Sequence, residues 1–311
     1  MVLNKIGLTG SSGMLGRHLH AALQAAGAEV AAVSRSGTDG SAVWDLNEWL
    51  SIESFDKIFG EAAAVIHAGA IINPAISGGD ARLFDVNVRA CANLAEWALR
   101  RSIPLVFVSS GSVYANPDAG HLTESAPLGA NTLGGVYGMS KLMAEDILSR
   151  YRARGLKLAI VRPSSLYGCG GPAAQTLYKF LGAAARGETI ELTPPVDDRI
   201  DFLHAADLSD AIIRLIQHAC WDTFNIASEQ PVSIYELAAA CVDVAGYGAV
   251  HVCDGEGSER ASLRRLFLDA SLARTCLCWR PAVGLRLGLG MVLSGQLLAA
   301  ERVITNQTVR V

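Results

Sequence analysis

The sequence predicts an α/β fold: a parallel sheet with helices on both faces, followed by a smaller C-terminal α/β unit. Three observations carry this expectation. Short apolar runs alternate with helix-length segments through the first half of the 311 residues, the rhythm of a parallel sheet covered on both sides. Leu105-Val106-Phe107-Val108 is continuously apolar, as a strand buried on both faces must be. After Pro163 the alternation breaks into loops and helices.

In chain order, residues 6–9 read as a strand, 15–26 as a helix and 29–34 as a second strand. Residues 64–68 form the next clear strand, and a helix runs over about 87–101. Residues 105–109 are a strand, 137–154 a helix and 158–162 a strand. Gly168-Cys169-Gly170-Gly171-Pro172 is a loop, and Pro194-Pro195 marks another. Helices follow at 173–186, 207–218, 234–244 and 284–300. The expected division is a nucleotide-binding domain of residues 1–168, joined by a returning segment at about 200–227. Residues 169–199 and 228–311 then form a substrate-binding domain.

Half of the residues are apolar, ample for a core, and the net charge of −4 does not favour a nucleic-acid surface. The seven cysteines are scattered and odd in number, which suits a reducing compartment. Cys276-x-Cys278 lacks the spacing and the second ligand pair of a zinc site, so no metal is expected. The N-terminus lacks the pattern of a secretory signal, and no apolar run reaches the ~18 residues of a membrane span. The expectation is a soluble, cytoplasmic protein with no membrane contact.

The first strand leads into Thr9-Gly10-Ser11-Ser12-Gly13-Met14-Leu15-Gly16. Gly10 permits a tight turn, Gly13 lets backbone approach a pyrophosphate, and Gly16 lets the helix lie close to the sheet. The helix start adds unpaired N–H groups and a positive dipole end. Ser12, Met14 and Leu15 join the glycines as expected contacts of a dinucleotide, and the sheet is expected to be of the doubly wound Rossmann type. Strand two ends in Ser34-Arg35, where an NAD-selective site usually places an acid. An arginine suits a 2′-phosphate, which favours NADP over NAD, although Arg35 can equally face solvent or adenine. Asp45 and Leu46 are candidates for the adenine side.

Tyr137 and Lys141 are four residues apart in a predicted helix, one turn from each other on one face. A cation beside a phenol favours phenolate, so this spacing predicts a tyrosine whose pKa is lowered toward working pH. Val108-Ser109-Ser110-Gly111-Ser112 follows a strand and places hydroxyls at the carboxyl end of the sheet, where ligands of open α/β folds bind.

These motifs stand with Val65-Ile66-His67-Ala68-Gly69-Ala70, Asn87-Val88 and Arg162-Pro163-Ser164-Ser165-Leu166-Tyr167-Gly168. Further along come Arg199-x-Asp201-Phe202-Leu203-His204, Phe224-Asn225-Ile226, Ser233-x-x-Glu236-Leu237 and Leu277-x-Trp279-x-Pro281. Together they resemble the extended short-chain dehydrogenase/reductase family, in its NAD(P)-dependent nucleotide-sugar epimerase/dehydratase branch, over nearly the whole chain. The resemblance implies Tyr137 as catalytic acid/base, Lys141 on the nicotinamide ribose, and Ser110 on the reacting sugar oxygen with help from Ser112. It implies that Ala68, Gly69 and Ala70 line the cofactor, that Asn87 supports the site, and that Pro163 to Ser165 pass beside the nicotinamide. His67 and His204 read as buried structural histidines.

In that branch the dehydratases carry an Asp-Glu pair directly after the catalytic Ser/Thr. This chain has Gly111 and Ser112 there, which disfavours dehydration. The resemblance then implies a nucleotide-sugar epimerase of the 4-epimerase type, working by transient hydride transfer to bound nicotinamide, with an NADPH-dependent reductase or dehydrogenase of a keto-sugar, sugar or nucleotide sugar as the alternative. A non-catalytic dinucleotide sensor is a third class, disfavoured because Ser110, Tyr137 and Lys141 are all present. The family's diphosphate-binding arginine is replaced by Ile200, with Arg199 one position earlier. Arg199 and Arg265, with Arg260 and Arg264, are the candidates for that role. The resemblance also implies a homodimer through the helices at 87–101 and 137–154.

Overall fold

The computed structural model describes residues 2–37, 40–72, 80–116, 120–129, 134–254 and 266–297. The strands are β1 (Lys5–Thr9), β2 (Glu29–Ser34), β3 (Ala42–Val43), β4 (Ala64–His67), β5 (Leu105–Val108), β6 (His121–Leu122), β7 (Leu158–Pro163) and β8 (Ser165–Tyr167). Then come β9 (Thr189–Leu192), β10 (Arg199–Ile200), β11 (Phe202–His204), β12 (Thr223–Ile226), β13 (Val232–Ser233), β14 (Ala249–Val252) and β15 (Phe267–Leu268). The α-helices are α1 (Met14–Ala25), α2 (Ile52–Phe59), α3 (Asp80–Phe84), α4 (Ala90–Arg101) and α5 (Gly135–Ala153). They continue with α6 (Thr176–Ala185), α7 (Ala205–Gln217), α8 (Ile234–Ala245), α9 (Ser271–Leu277) and α10 (Leu285–Ser294).

Seven strands form one parallel sheet in the order β3-β2-β1-β4-β5-β7-β12. The order runs outward in both directions from β1, which is the doubly wound arrangement. Alternate side chains of each strand enter opposite cores. Ile6, Leu8, Ile66, Val106, Val108 and Val161 pack with Leu19 and Leu23 of α1 and Ile212 and Ile216 of α7. Val65, Leu105, Phe107, Leu158 and Ile160 pack with Phe55 and Phe59 of α2, Trp97 of α4 and Leu148 of α5. At Gly7 the missing side chain makes room for Phe59, since a Cβ there would lie 2.7 Å from its ring. β12, from the segment expected to return at 200–227, pairs with β7 at the sheet edge.

A third apolar cluster is built by α6, α8, β9 and α10 around Leu177, Leu181, Ile190, Leu237 and Leu289. Here β9 and β14 pair in parallel. The helix expected at 173–186 starts only at Thr176, because residues after Pro172 form a turn. The helix expected to reach 300 ends at Ser294, where Gly295 takes the left-handed conformation (φ 68°) that closes helices. Residues 298–300 lie outside the described region. Among the described residues no helix is long and apolar enough to cross a membrane.

One side chain anchors the C-terminal segment to this frame. Asp207, buried in the first turn of α7, accepts bonds from the Ala282 and Val283 N–H groups, each at 3.0 Å. The Trp279 indole donates to its carbonyl at 3.0 Å. Burial pushes the Asp207 carboxyl up to about 6, the two backbone donors holding it lower. Asp207→Ala, leaving two buried donors without a partner, is expected to lower stability by about 2–4 kcal/mol in urea unfolding. Because the folded-state pKa is raised, the stability tied to this carboxyl is present below pH ~4 and is lost as pH rises to about 6. Asp207→Asn should flatten the stability curve across that window.

Candidate active site

The carboxyl ends of β1, β4, β5 and β7 open into a cleft of about 610 Å³. One wall is backbone. Gly10 has φ 72°, and a Cβ on it would lie 2.6 Å from the Gly69 Cα. A Cβ on Gly16 would lie 2.0 Å from the Gly10 carbonyl oxygen. The exits of β1 and β4 and the start of α1 therefore touch through glycines. Thr9 Oγ1 shares a 2.7 Å hydrogen bond with His67 Nδ1 and accepts from the Gly69 N–H at 3.3 Å, pinning the two strand ends together. Burial drives the His67 imidazole down to about 3, so it is neutral. No side chain caps α1, so its first-turn N–H groups are free for an anion. Gly10, Gly13, Met14, Leu15, Gly16, Ala68 and Ala70 line the cleft.

The opposite wall is α5 against the end of β5. The Ser110 side chain hydrogen-bonds the Tyr137 phenol. Ser112 Oγ donates to Ser110 Oγ at 2.9 Å, and the Ser112 N–H reaches it at 3.2 Å. Lys141 is only 3% exposed and donates to the Val108 carbonyl at 2.7 Å. Its Nζ lies 4.7 Å from the centre of the Phe107 ring and 6.0 Å from that of Tyr137. Burial lowers the Lys141 ammonium to about 8, against the pull of Cys91 and Glu145. The lowered tyrosine pKa expected from the spacing is not found. Burial raises the Tyr137 phenol to about 12, outweighing the Ser110 hydrogen bond. The lysine is bonded to a carbonyl rather than to the phenol oxygen, so helical proximity is not enough to ionise it.

Asn87 sits in a π-helical turn (Asp85–Arg89) between α3 and α4. Its amide bonds both backbone groups of Ile71 at 2.8 Å and donates to Ser140 Oγ at 3.0 Å, fixing the chain leaving β4 against α5. Such turns recur at functional sites. Pro163 and Ser165 line the cleft, as do Ser110, Ser112, Tyr137 and Lys141.

The other expected contacts lie at the rim of the cleft or away from it. Ser12 lines a separate small cavity with Arg17 and His20. The Ser34 hydroxyl is engaged within its own loop by Ser41 Oγ at 2.8 Å and the Gly37 N–H at 3.0 Å. Arg35 is exposed at the end of β2. Asp45 accepts the Asn47 N–H and pairs with Arg82, while Leu46 lies over Gly69. Arg199 borders the cleft but its guanidinium donates to the Pro231 carbonyl at 2.8 Å and to Glu236 at 3.4 Å. Arg260, Arg264 and Arg265 fall outside the described residues. Gln175, Asp201 and Leu266 also line the cleft. Asp201 belongs to the Arg199-x-Asp201-Phe202 motif, whereas nothing in local spacing marks Gln175 or Leu266 beforehand. No group of three metal-ligating side chains occurs among the described residues.

Residues 6–227 match the NAD dependent epimerase/dehydratase family. The chain belongs to that family. Its members are NAD(P)-dependent enzymes of the extended short-chain type. GDP-6-deoxy-D-mannose reductase of Pseudomonas aeruginosa is 26% identical, over 92% of this chain and 95% of the relative. UDP-glucuronic acid decarboxylase 6 of Arabidopsis thaliana is 24% identical, over 93% and 87%. Among solved structures, UDP-N-acetylglucosamine 4-epimerase from Bacillus cereus superposes with a TM-score of 0.81 at 23% identity, covering 93% of this chain and 95% of that one. The glycine-lined wall fits the dinucleotide of an epimerase/dehydratase enzyme, because a side chain at Gly10 or Gly16 would collide with backbone.

Gly16→Ala is expected to push α1 off β1 and to weaken NADH binding at least about tenfold, read by fluorescence titration with the fold checked by circular dichroism. Affinity equal to that of the parent would show that this wall does not hold the dinucleotide.

Proposed function

We propose that the protein is a nucleotide-sugar epimerase of the 4-epimerase type, removing hydride from a hydroxyl-bearing sugar carbon and returning it to the same carbon. The observation that carries this is the chemistry of the cleft. Ser110 and Tyr137 are hydrogen-bonded over a buried Lys141. Among the described residues Asp201 is the one carboxylate on the cleft wall, and its oxygens accept from Ser228 and from the Glu229 N–H. A β-elimination needs a second, free acid/base group beside the tyrosine. Hydride transfer at one carbon does not.

A bound nicotinamide supplies the hydride acceptor and donor. Gly10, Gly13 and Gly16 would cradle its pyrophosphate, and Lys141 would meet its ribose hydroxyls. Ser110 would hold the reacting sugar oxygen while the Tyr137 oxygen takes or gives that oxygen's proton. The resting phenol, near 12, is the acid form. Working as a base requires added positive charge beside the ring. The unit around α6, α8 and β9 would hold the nucleotide. The exposed Met139 and Met143, one turn apart on α5, fit burial in a homodimer.

A second reading is an NADPH-dependent keto-sugar reductase. Arg35, exposed where a 2′-phosphate would sit, favours it, as does a tyrosine that rests protonated.

The test is a panel of UDP-, GDP- and dTDP-linked sugars and their 4-keto forms. An epimerised product with no net change at 340 nm supports the epimerase. Stoichiometric loss of NADPH absorbance with a keto form supports the reductase instead. Turnover with no member of the panel overturns both. Tyr137→Phe is expected to reduce turnover at least about 100-fold with cofactor affinity nearly unchanged, since only the transferable proton is removed. Arg35→Asp should move the cofactor preference toward NAD by about tenfold or more in kcat/KM, leaving kcat with saturating NAD intact.

A further inference from the structure

The face of α5 that carries Tyr137 and Lys141 continues one more turn to Glu145. Three side chains at i, i+4 and i+8 meet three successive residues where β5 ends. Tyr137 bonds the Ser110 side chain, Lys141 bonds the Val108 carbonyl, and Glu145 accepts from Ser109 Oγ. Glu145 is 4% exposed and held from the other side by Arg162, which donates Nη2 at 2.6 Å and Nε at 3.1 Å to its two oxygens. Arg162 precedes Pro163, a residue of the cleft wall, and its remaining nitrogen donates to the Tyr114 hydroxyl at 3.0 Å and the Glu124 carbonyl at 3.1 Å. Tyr114 donates in turn to Asn225 at 2.7 Å. A buried polar chain thus joins α5, β5, β7 and β12 just beneath the reacting groups.

We propose that Glu145 is a positioning residue of the site, whose carboxylate keeps the buried Lys141 charged and ties the strand residue next to Ser110 to the helix that carries Tyr137. The groups facing Lys141 leave few other candidates for the first task. Cys91 on α4 is a buried thiol pushed up to about 12, His67 on β4 is an imidazole near 3, and Tyr137 is a phenol near 12, so all three are neutral at pH 7. Glu145, one turn along the same helix, is the nearby group that carries a negative charge. The Arg162 guanidinium, bound bidentately, holds that carboxylate in place. Removing either partner alone leaves a buried charge unpaired, so a loss of activity by itself does not separate positioning from folding.

The effect on turnover rests on the reading of Lys141 as a working residue. The lysine's charge can be read without any substrate. The chain has only five lysines, so Lys141 can be followed by 13C NMR of labelled lysine side chains, assigned with Lys141→Arg. In the parent its midpoint should fall near 8. In Glu145→Gln, and in the charge-neutral pair Glu145→Gln/Arg162→Gln, it should fall by about one pH unit or more. In Glu145→Asp, which keeps the charge in place, it should stay near the parent value, and this variant serves if the others do not fold. An unmoved midpoint in either folded Gln variant overturns the proposal. So does a fall in the Asp variant as large as in the Gln variants, because shape rather than charge would then govern the lysine. With the substrate found by the sugar panel, the alkaline limb of kcat/KM should move down with the midpoint in the Gln variants and hold in the Asp variant. A limb that stays while the midpoint moves would locate the error in the role given to Lys141, not in the tie to Glu145.

Discussion

An ammonium group with almost no access to water sits between α5 and the last carbonyl of β5, and the local structure is arranged around the cost of that burial. The charge has a carbonyl partner, an aromatic face in Phe107 and a carboxylate one helical turn away. The carboxylate needs its own cation, which β7 supplies through Arg162. Each requirement recruits another element, so α5, β5, β7 and β12 are locked in relative position by polar groups as well as by apolar packing. The Ser110 and Tyr137 oxygens inherit their spacing from that lock.

The other half of the cleft is held by the absence of side chains. Gly10, Gly16 and Gly69 bring backbone to within contact distance at the point where the sheet order reverses. Amide groups, unlike side chains, do not reorganise on meeting an anion, so this wall is preformed. The contrast is instructive. One wall of the cleft is built from rigid backbone, while the other hangs from one helix face whose electrostatics can be tuned one residue at a time.

Much of this was legible in the sequence because it depends on local pattern. Strand and helix alternation gave the sheet elements, and the spaced glycines gave the tight turn. What was not legible depends on distance along the chain or on burial. β9 and β14 pair across about sixty residues, with half-exposed alternation too weak to mark them. α2 is a single short helix whose Ser51 cap and two phenylalanines matter only once the sheet is there to receive them. The spacing of Tyr137 and Lys141 located both correctly on one helix face but carried no information on the dielectric around the phenol, and burial reversed the expected direction of its pKa. Glu145 continues the same four-residue stripe, but Arg162, which gives that stripe its meaning, is seventeen positions away on another element. Arg199 was a candidate by position, and its guanidinium is taken up by Pro231 and Glu236 in a pairing that sequence order does not reveal.

The loop after β2 divides its labour in a way that bears on how this protein could change over time. Ser34 is buried and closes the turn with Ser41 and Gly37, whereas the neighbouring Arg35 projects into solvent. Shape is therefore maintained by one residue and charge is displayed by the next. A lineage can replace the displayed residue without disturbing the turn, the sheet or α5. Exchange at this position therefore costs the fold little, whereas Lys141, Glu145 and Arg162 are buried together and a change in one leaves the others without their partners.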